Sequence, residues 1–357
     1  MKCLILAAGR FGADLRAQIA AGREPRLDVF ELANVLGADV LDYGDVEQRA
    51  PDALTSRLGA PGKSAALAAL GFARRDRYDA YFTTGEDIGL PLAAMLRPSN
   101  AGCSHTMIAH TLFPQKKRLL WKVGRVGPRI DRMLVYSTSE ERLAIDELHM
   151  APEKVQRLYY HADEMFFKPD GRALEPKLIC AAGQLLRDYD CLLEAVRGLD
   201  VRVEIAAGSP WIDSTLGPAR ALPPNVEWGK KNRYDLREMY ARSALAVVPI
   251  KQNHYQTGIA TILEMMAMGK CVIASRTHGQ TDTIIDGETG VYVPPGDPVA
   301  LRSAITRMLA SPDEAARIGR NARRFIEENA GLDRFVQKVA EAVRLGHTAR
   351  FGAADAK

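Results

Sequence analysis

The sequence predicts an α/β protein of two domains, and three observations carry that expectation. The chain has 357 residues, more than one ordinary hydrophobic core organises. Each half opens on a short apolar run that leads into a glycine-bearing loop. In the first half, residues 2–7 run into Gly9-Arg10-Phe11-Gly12; in the second, Lys177 to Ala182 runs into Gly183-Gln184-Leu185-Leu186-Arg187. A buried strand followed by such a loop is a common opening of nucleotide-binding α/β domains. Finally, Gln256 to Ser275 spells a loop, an amphipathic helix, a glycine stop and a buried strand.

In chain order, residues 2–7 form the first strand. The loop after it is not G-x-G-x-x-G, so a dinucleotide fingerprint has no support. Asp28 to Leu36 is predicted helical, Ala38 to Leu41 a strand, and Lys63 to Arg74 a helix with Ala66, Leu67, Leu70 and Ala73 on its apolar side. Tyr78 to Thr83 is the next strand. Gly85-Glu86-Asp87 leads into a helix reaching about Met95, with Pro91 as its kink or its true start. Thr84 to Asp87 sit at a strand end, where open α/β sheets bind ligands, and the same acids also suit helix capping. Cys103 to Thr111 is a strand with His105 at its start and His110 at its carboxyl end. From Lys116 to Arg129 basic residues alternate with Leu119, Leu120, Trp121 and Val123. That pattern suits an anionic membrane surface or an anionic acceptor, and it equally describes a solvated helix face. Gly124, Gly127 and Pro128 keep any helix here short. Met133 to Tyr136 is a strand, Ser137-Thr138-Ser139-Glu140 caps a helix to about His149, and Val155 to Tyr160 is a strand. The turn signal Pro169-Asp170-Gly171 places the linker, giving domains at 1–169 and 173–330.

In the second half, Leu192 to Val196 is a helix and Val201 to Ala206 a strand ending in Ala207-Gly208-Ser209-Pro210-Trp211. Asn225 to Gly229 is a short edge strand with Lys230 and Lys231 just beyond. Leu236 to Ala241 is a helix and Leu245 to Ile250 a strand. In the organising stretch, Ile259, Ile262, Leu263 and Met266 share one helical face, and Gly269 stops the helix. Glu264 lies off that face, on the side of Thr257, Ala260 and Thr261. The helix start carries partial positive charge, and Gly258 lets a ligand approach the backbone. A diphosphate is the natural guest. Thr283 to Asp297 gives a helix end, a tight glycine turn, a strand and a helix start. Ala300 to Met308, Pro312 to Glu328 and Phe335 to Leu345 are helical, and 348–357 is expected to be a disordered tail.

The segment Glu264-Met265-Met266-Ala267-Met268-Gly269-Lys270, followed by Val272-Ile273-Ala274-Ser275, resembles the E-A-M-A-x-G-K-P-V-I-A-S segment of GT-B glycosyltransferases, and within them retaining family 4. Ile284 to Asp297 is similar to that family's I-x-D-G-x-x-G-x-x-V-x-P-G-D, and His161 to Pro169 to the phrase that approaches its interdomain linker. The resemblance implies two Rossmann-like α/β domains with an interdomain cleft, and a last helix, 331–347, that crosses back to the first domain. It implies transfer of a sugar, with retained configuration, from a nucleotide-diphosphate donor, UDP- or GDP-linked, to an unidentified acceptor. Glu264 would hold the donor ribose. Thr257, Gly258 and Ile259 would hold the diphosphate, with Gly9, Gly183, Gln184 and Gly208 in the loops around it. Arg187 is then a phosphate clamp, and otherwise a surface ion pair with Asp188 or Asp190. His110 and Gln256 would position the donor sugar. Gln256 stands where the family carries its first glutamate of E-x7-E, Gln184 where it carries an arginine, and Cys271 where it carries a proline. No metal is expected, because the helix start and Arg187 take its place.

Composition bounds the rest. The chain is 47% hydrophobic and 26% charged, ordinary for a globular protein, with net charge +4. No stretch approaches the roughly 20 apolar residues of a membrane span. The five cysteines are scattered without a C-x-x-C pair, so buried thiols in a reducing cytoplasm are expected, and neither zinc nor disulfides. A cytoplasmic protein, peripheral on the inner membrane through Lys116–Arg129 if that segment is a surface contact, fits these features. Nucleic acid is not an expected partner. Asp188-Tyr189-Asp190 spells the D-x-D metal motif in the wrong fold context and is taken as chance. Two alternatives share the fold: a sugar-nucleotide epimerase, and a catalytically silent nucleotide-sugar-binding protein, for which Gln256 and Gln184 speak.

Overall fold

A computed structural model describes all residues except 50–59, 100–101, 209–221 and 353–357. The chain divides into two compact units: Met1–Leu15, Leu27–Leu158 and Asp333–Lys357 form the first, and Arg16–Arg26 with Tyr159–Leu332 form the second. The division thus falls ahead of the Pro169-Asp170-Gly171 turn expected to mark it. Packing explains the difference. Ala162, Phe166 and Phe167 join the core of the second unit, and the N–H of Ala162 donates to Ala330 O while its carbonyl accepts from Leu332.

The strands of the first unit are β1 (Cys3–Leu6), β2 (Asp39–Leu41), β3 (Ala80–Thr83), β4 (Ser104–Ala109), β5 (Arg132–Val135) and β6 (Val155–Arg157). They pair in the order β2-β1-β3-β4-β5-β6, parallel throughout. Strands buried on both faces read as unbroken apolar runs, which is why β1 and β3 were legible. The helices begin with α1 (Leu15–Ala20), α2 (Asp28–Leu36), α3 (Tyr43–Arg49) and α4 (Ala60–Phe72). α5 (Glu86–Leu96) holds Pro91 in its interior, so Pro91 does not mark its start. α6 (Gln115–Gly124) ends where Arg125 turns left-handed at φ 44°. α7 (Thr138–Arg142) is capped by the Ser137 hydroxyl, which accepts from the Glu140 N–H, and continues as a π-helical turn over Leu143–Glu147.

The second unit contains β7 (Glu175–Ala182), α8 (Tyr189–Val196), β8 (Arg202–Ala206), β9 (Val226–Gly229), α9 (Arg233–Arg242), β10 (Ser243–Val248), α10 (Ile259–Ala267), β11 (Val272–Ser275), β12 (Val291–Val293), α11 (Pro298–Ala310) and α12 (Pro312–Phe325). Its strand order is β12-β11-β10-β7-β8-β9, again parallel. The order reverses between β7 and β10, so the carboxyl ends of those two strands flank a topological switch point, where such sheets bind ligands. Gly269 closes α10 at φ +68°, with its N–H on Met266 O.

The last helix, α13 (Leu332–Phe351), belongs to the first unit from Asp333 onward. It runs further than expected: Thr348 to Phe351 are helical, not tail. Arg350 pairs with Asp131 at 3.0 Å, and Gly346 lies against Thr106 and Arg132, both in the first unit. No helix among the described residues is long and apolar enough to cross a membrane.

Candidate active site

At the switch point of the second unit, the chain leaves β7 through Gly183 (φ +94°) and Leu186 (φ 52°) to reach Arg187. The loop is tied to the end of β10: Asp188 N–H donates to Pro249 O, and Lys251 N–H to Leu186 O. Arg187 is thereby turned inward and is only 8% exposed. Its Nε donates to Ala182 O at 2.9 Å, its Nη1 to Leu185 O at 3.0 Å, and its Nη2 to the Thr261 hydroxyl at 3.1 Å. The surface ion pair with Asp188 or Asp190 is not what forms. Asp188 instead caps α8 by accepting from Cys191 N–H. Burial lowers the Arg187 pKa; Tyr189, Tyr240 and Glu264 oppose that effect. A guanidinium whose hydrogen-bond partners are neutral leaves positive potential for an anion.

Two glycines make that placement possible. A Cβ on Gly183 would lie 2.3 Å from Arg187 Nη2, and one on Gly258 would lie 2.9 Å from Nη1. Gly258 was expected to leave room for a ligand. The structure gives the room beside its Cα to Arg187. Gly258 has φ 83° and supplies no side-chain cap to α10. Of the three residues expected to hold an anion there, Thr257 is buried and its hydroxyl donates to Asn253 Oδ1 at 3.2 Å. The Ile259 N–H is turned toward Gln256 O, at 3.4 Å. Gln256 itself is half-buried beside this turn. The loop is braced from behind by Gln280, fully buried, whose Nε2 donates to Thr257 O.

One turn into α10, Glu264 is 7% exposed. Its Oε1 accepts from Arg233 Nη1 at 2.8 Å, and its Oε2 from the Tyr240 hydroxyl at 3.4 Å. Burial pushes this carboxyl up; Arg233, Tyr240 and Arg187 pull it down without cancelling that. Gln184 is buried at the start of the Arg187 loop. Gly208 lies at the carboxyl end of β8 against the stem of Lys230; the residues after it, Ser209 to Trp211, lie outside the described residues. Lys231 pairs with the buried Glu204 at 3.5 Å. The structure therefore gathers Gly183, Arg187, Gly258 and Thr261 into one contact set, with Glu264 close enough for its charge to act on Arg187. It adds Arg233 and Tyr240, which sequence reasoning missed. Arg233 lies 31 residues before its partner, and no local pattern signals such a pair.

The other two candidates lie in the first unit. Gly9 follows β1, and its carbonyl accepts from Tyr43 N–H. His110 follows β4, exposed, with Nε2 2.8 Å from Thr84 O. Its main chain is held by buried acids: Glu86 accepts from the N–H groups of His110 and Thr111, and Glu140 from that of Leu112. Lys117 of α6 pairs with Glu86, and with Asp87 at 3.0 Å. His105, near the start of β4, is fully buried against the Thr83 hydroxyl, with its pKa pushed down to about 3 by burial. No cluster of three or more metal-ligating side chains occurs among the described residues.

Two parallel units of this kind match solved glycosyltransferase structures along the whole chain. Sucrose-phosphate synthase from Thermosynechococcus elongatus superposes with TM-score 0.73 at 17% identity, covering 98% of this chain and 100% of that one. Anabaena HepE in complex with UDP-glucose gives 0.67 at 16%, covering 96% and 98%. At such identities the likeness is one of fold, and the fold is GT-B. Residues 176–311 match the family of glycosyl transferases, group 1, so the second unit carries that family's signature, as the Glu264–Ser275 segment suggested. Among curated relatives, the D-rhamnosyltransferase WbpZ of Pseudomonas aeruginosa is 31% identical over 223 residues, 58% of this chain and 56% of that protein. The alpha-D-kanosaminyltransferase of Streptomyces kanamyceticus is 28% identical over 259 residues, 66% of this chain and 65% of that protein. The matched stretch thus spans about half to two thirds of the length of these two relatives.

Proposed function

We propose that this protein is a retaining glycosyltransferase that moves a sugar from a UDP- or GDP-linked donor to an acceptor without a metal. The observation that carries this reading is the buried Arg187, held by neutral partners beside the uncapped start of α10, in the segment that matches group 1 transferases. Both features favour an anion at the switch point, and the names of the relatives supply the chemistry. As the bond from the sugar carbon to the diphosphate breaks, charge develops on the leaving oxygen. Arg187 and the helix start are aimed to stabilise it. The acceptor oxygen bonds to that carbon on the same face, and its proton passes to the departing diphosphate. Within the second unit, Gln256 positions the sugar and Glu264 holds the ribose.

Binding of UDP, GDP and their sugars, with and without magnesium, tests the donor reading. A metal-independent affinity for one nucleotide, lost about 100-fold in Glu264→Ala, is expected, since a charge-assisted hydrogen bond is worth about 1.5–3 kcal/mol. No binding in the wild type would sink it. Sugar isomerisation without acceptor would reveal an epimerase instead, and binding without turnover a silent protein.

The acceptor reading rests on α6. Trp121 is its buried anchor, while Leu119, Leu120 and Val123 are 63%, 38% and 73% exposed beside the exposed Lys116, Lys122 and Arg125. Apolar residues set among cations match an anionic lipid surface, and a lipid-linked acceptor would be met there. Co-sedimentation with anionic but not neutral vesicles, lost in a Leu119→Ser, Val123→Ser variant, is the expected result.

A further inference from the structure

We propose that Arg233 is a positioning residue of the donor site: it orients Glu264 so that each carboxylate oxygen offers a lone pair to the vicinal 2′- and 3′-hydroxyls of a ribonucleotide. The inference rests on the reading of Glu264 as the ribose ligand, and it explains how that buried acid is fit for the task.

An ionised carboxylate has about four acceptor sites. Arg233 Nη1 occupies one on Oε1, and the Tyr240 hydroxyl approaches one on Oε2. One acceptor site on each oxygen is left, and a cis-diol brings two donors to match them. The orientation comes from α9. Arg233 is its first residue, fixed by the Asn232 side chain, which caps the helix by accepting from Asp235 N–H at 2.8 Å. Tyr240, fully buried, comes from the same helix two turns on. The two donors therefore move as one body and grip one oxygen each.

Arg233 also keeps Glu264 an acceptor. A carboxyl this deeply buried tends to hold a proton, and a protonated oxygen turns into a donor. The opposing groups are Arg233 and Tyr240 from α9 and Arg187 from the loop after β7, with Arg233 the largest of them. Arg233 in turn is held charged first by Glu264, and then by Tyr240, Glu24 and Tyr160.

The test compares the affinity of the full chain for UDP and GDP with that for their 2′,3′-dideoxy analogues, which offer Glu264 neither hydroxyl, by calorimetry. In the wild type the ribonucleotide is expected to bind at least ~10-fold more tightly, because a site built to receive a hydroxyl rejects its absence. In Arg233→Met the ribonucleotide weakens by about 10-fold while the dideoxy analogue is unchanged, so the ratio collapses toward one. Raising the pH restores ribonucleotide binding in that variant, as Glu264 ionises without its arginine, and Arg233→Lys restores part of the ratio. Arg233→Gln is read in the same way if Arg233→Met does not fold. A wild-type ratio in the Arg233 variants, alongside a collapsed ratio in Glu264→Gln, overturns this inference alone. A wild-type ratio in Glu264→Gln as well overturns the ribose reading and the inference with it.

Discussion

At the carboxyl edge of the first sheet, the N–H groups of His110, Thr111 and Leu112 are taken by two buried acids, Glu86 and Glu140. At the same edge of the second sheet, the turn that starts α10 has glycine at its cap and a buried cation, Arg187, beside it. Parallel α/β units tend to leave N–H-rich turns at this edge. In the first unit the protein's own carboxylates fill that role. In the second, no side chain caps the start of α10, and the acid within that helix, Glu264, is bound to Arg233. The difference in sign is what the proposed donor site in the second unit rests on, while the acids of the first shape the His110 turn.

The sharpest way to break this comparison is to move Arg187 without deleting it. Gly183→Ala forces a Cβ to within 2.3 Å of the guanidinium, at a φ of +94° that alanine tolerates poorly. The backbone strain costs about 1–2 kcal/mol, and displacement of the cation adds loss of function. Nucleotide affinity is expected to fall on the order of 100-fold. In an Arg187→Ala background the same glycine change should cost only its strain, so a double-mutant cycle reads the coupling directly. Additive effects in that cycle would detach the glycines from the cation.

A smaller effect belongs to the first unit. Glu86→Gln removes the ion pair with Lys117 while keeping one acceptor for the His110 turn. Breaking a buried pair on one side costs about 3 kcal/mol, so a drop in unfolding free energy of that order is expected by denaturant titration. Nucleotide affinity should be unchanged. A nucleotide affinity that falls with it would mean that the acids of the first unit serve the donor site as well.

The two edges also differ in how far the sequence disclosed them. Gly258 and the side of α10 that carries Glu264 were legible because an apolar period of 3.6 places residues on known sides of a helix, whereas Arg187 was singled out by the resemblance of its loop to that of GT-B transferases. The same patterns located His110 at the end of β4. What they did not disclose was partnership. Gly258 looked like room for a ligand, and only the three-dimensional path of the Arg187 loop shows that the space is taken by a guanidinium. Arg233, Tyr240 and Glu140 sit in ordinary helical contexts, and their partners come from other elements. The domain boundary was misplaced for a related reason. At Pro169-Asp170-Gly171 the backbone does go left-handed, with Gly171 at φ 76°, and Asp170 accepts from the Arg172 N–H, but units are divided by which core the flanking side chains enter. Phe166 and Phe167 enter the second.

A pH-dependent effect concerns Glu140, and it tests whether the first edge is held together at a cost. Burial, joined by the charge of Glu86, pushes its carboxyl up to about 7 against the opposing pull of Leu112 N–H and Lys117. Between its ordinary value of 4.5 and about 7, the folded chain holds a proton there that the unfolded chain has released. The contribution of Glu140 to stability therefore declines as pH rises through that window and levels off above it. The full shift corresponds to about 3 kcal/mol. Glu140→Gln removes the titration and keeps an oxygen for Leu112 N–H. Its melting temperature relative to the wild type should rise by a few degrees between pH 5 and pH 8, measured on the full chain at both values. A difference that does not change with pH would show that Glu140 is ionised throughout. The first edge would then carry two buried negative charges against Lys117, and its self-capped turn would be anionic rather than near neutral.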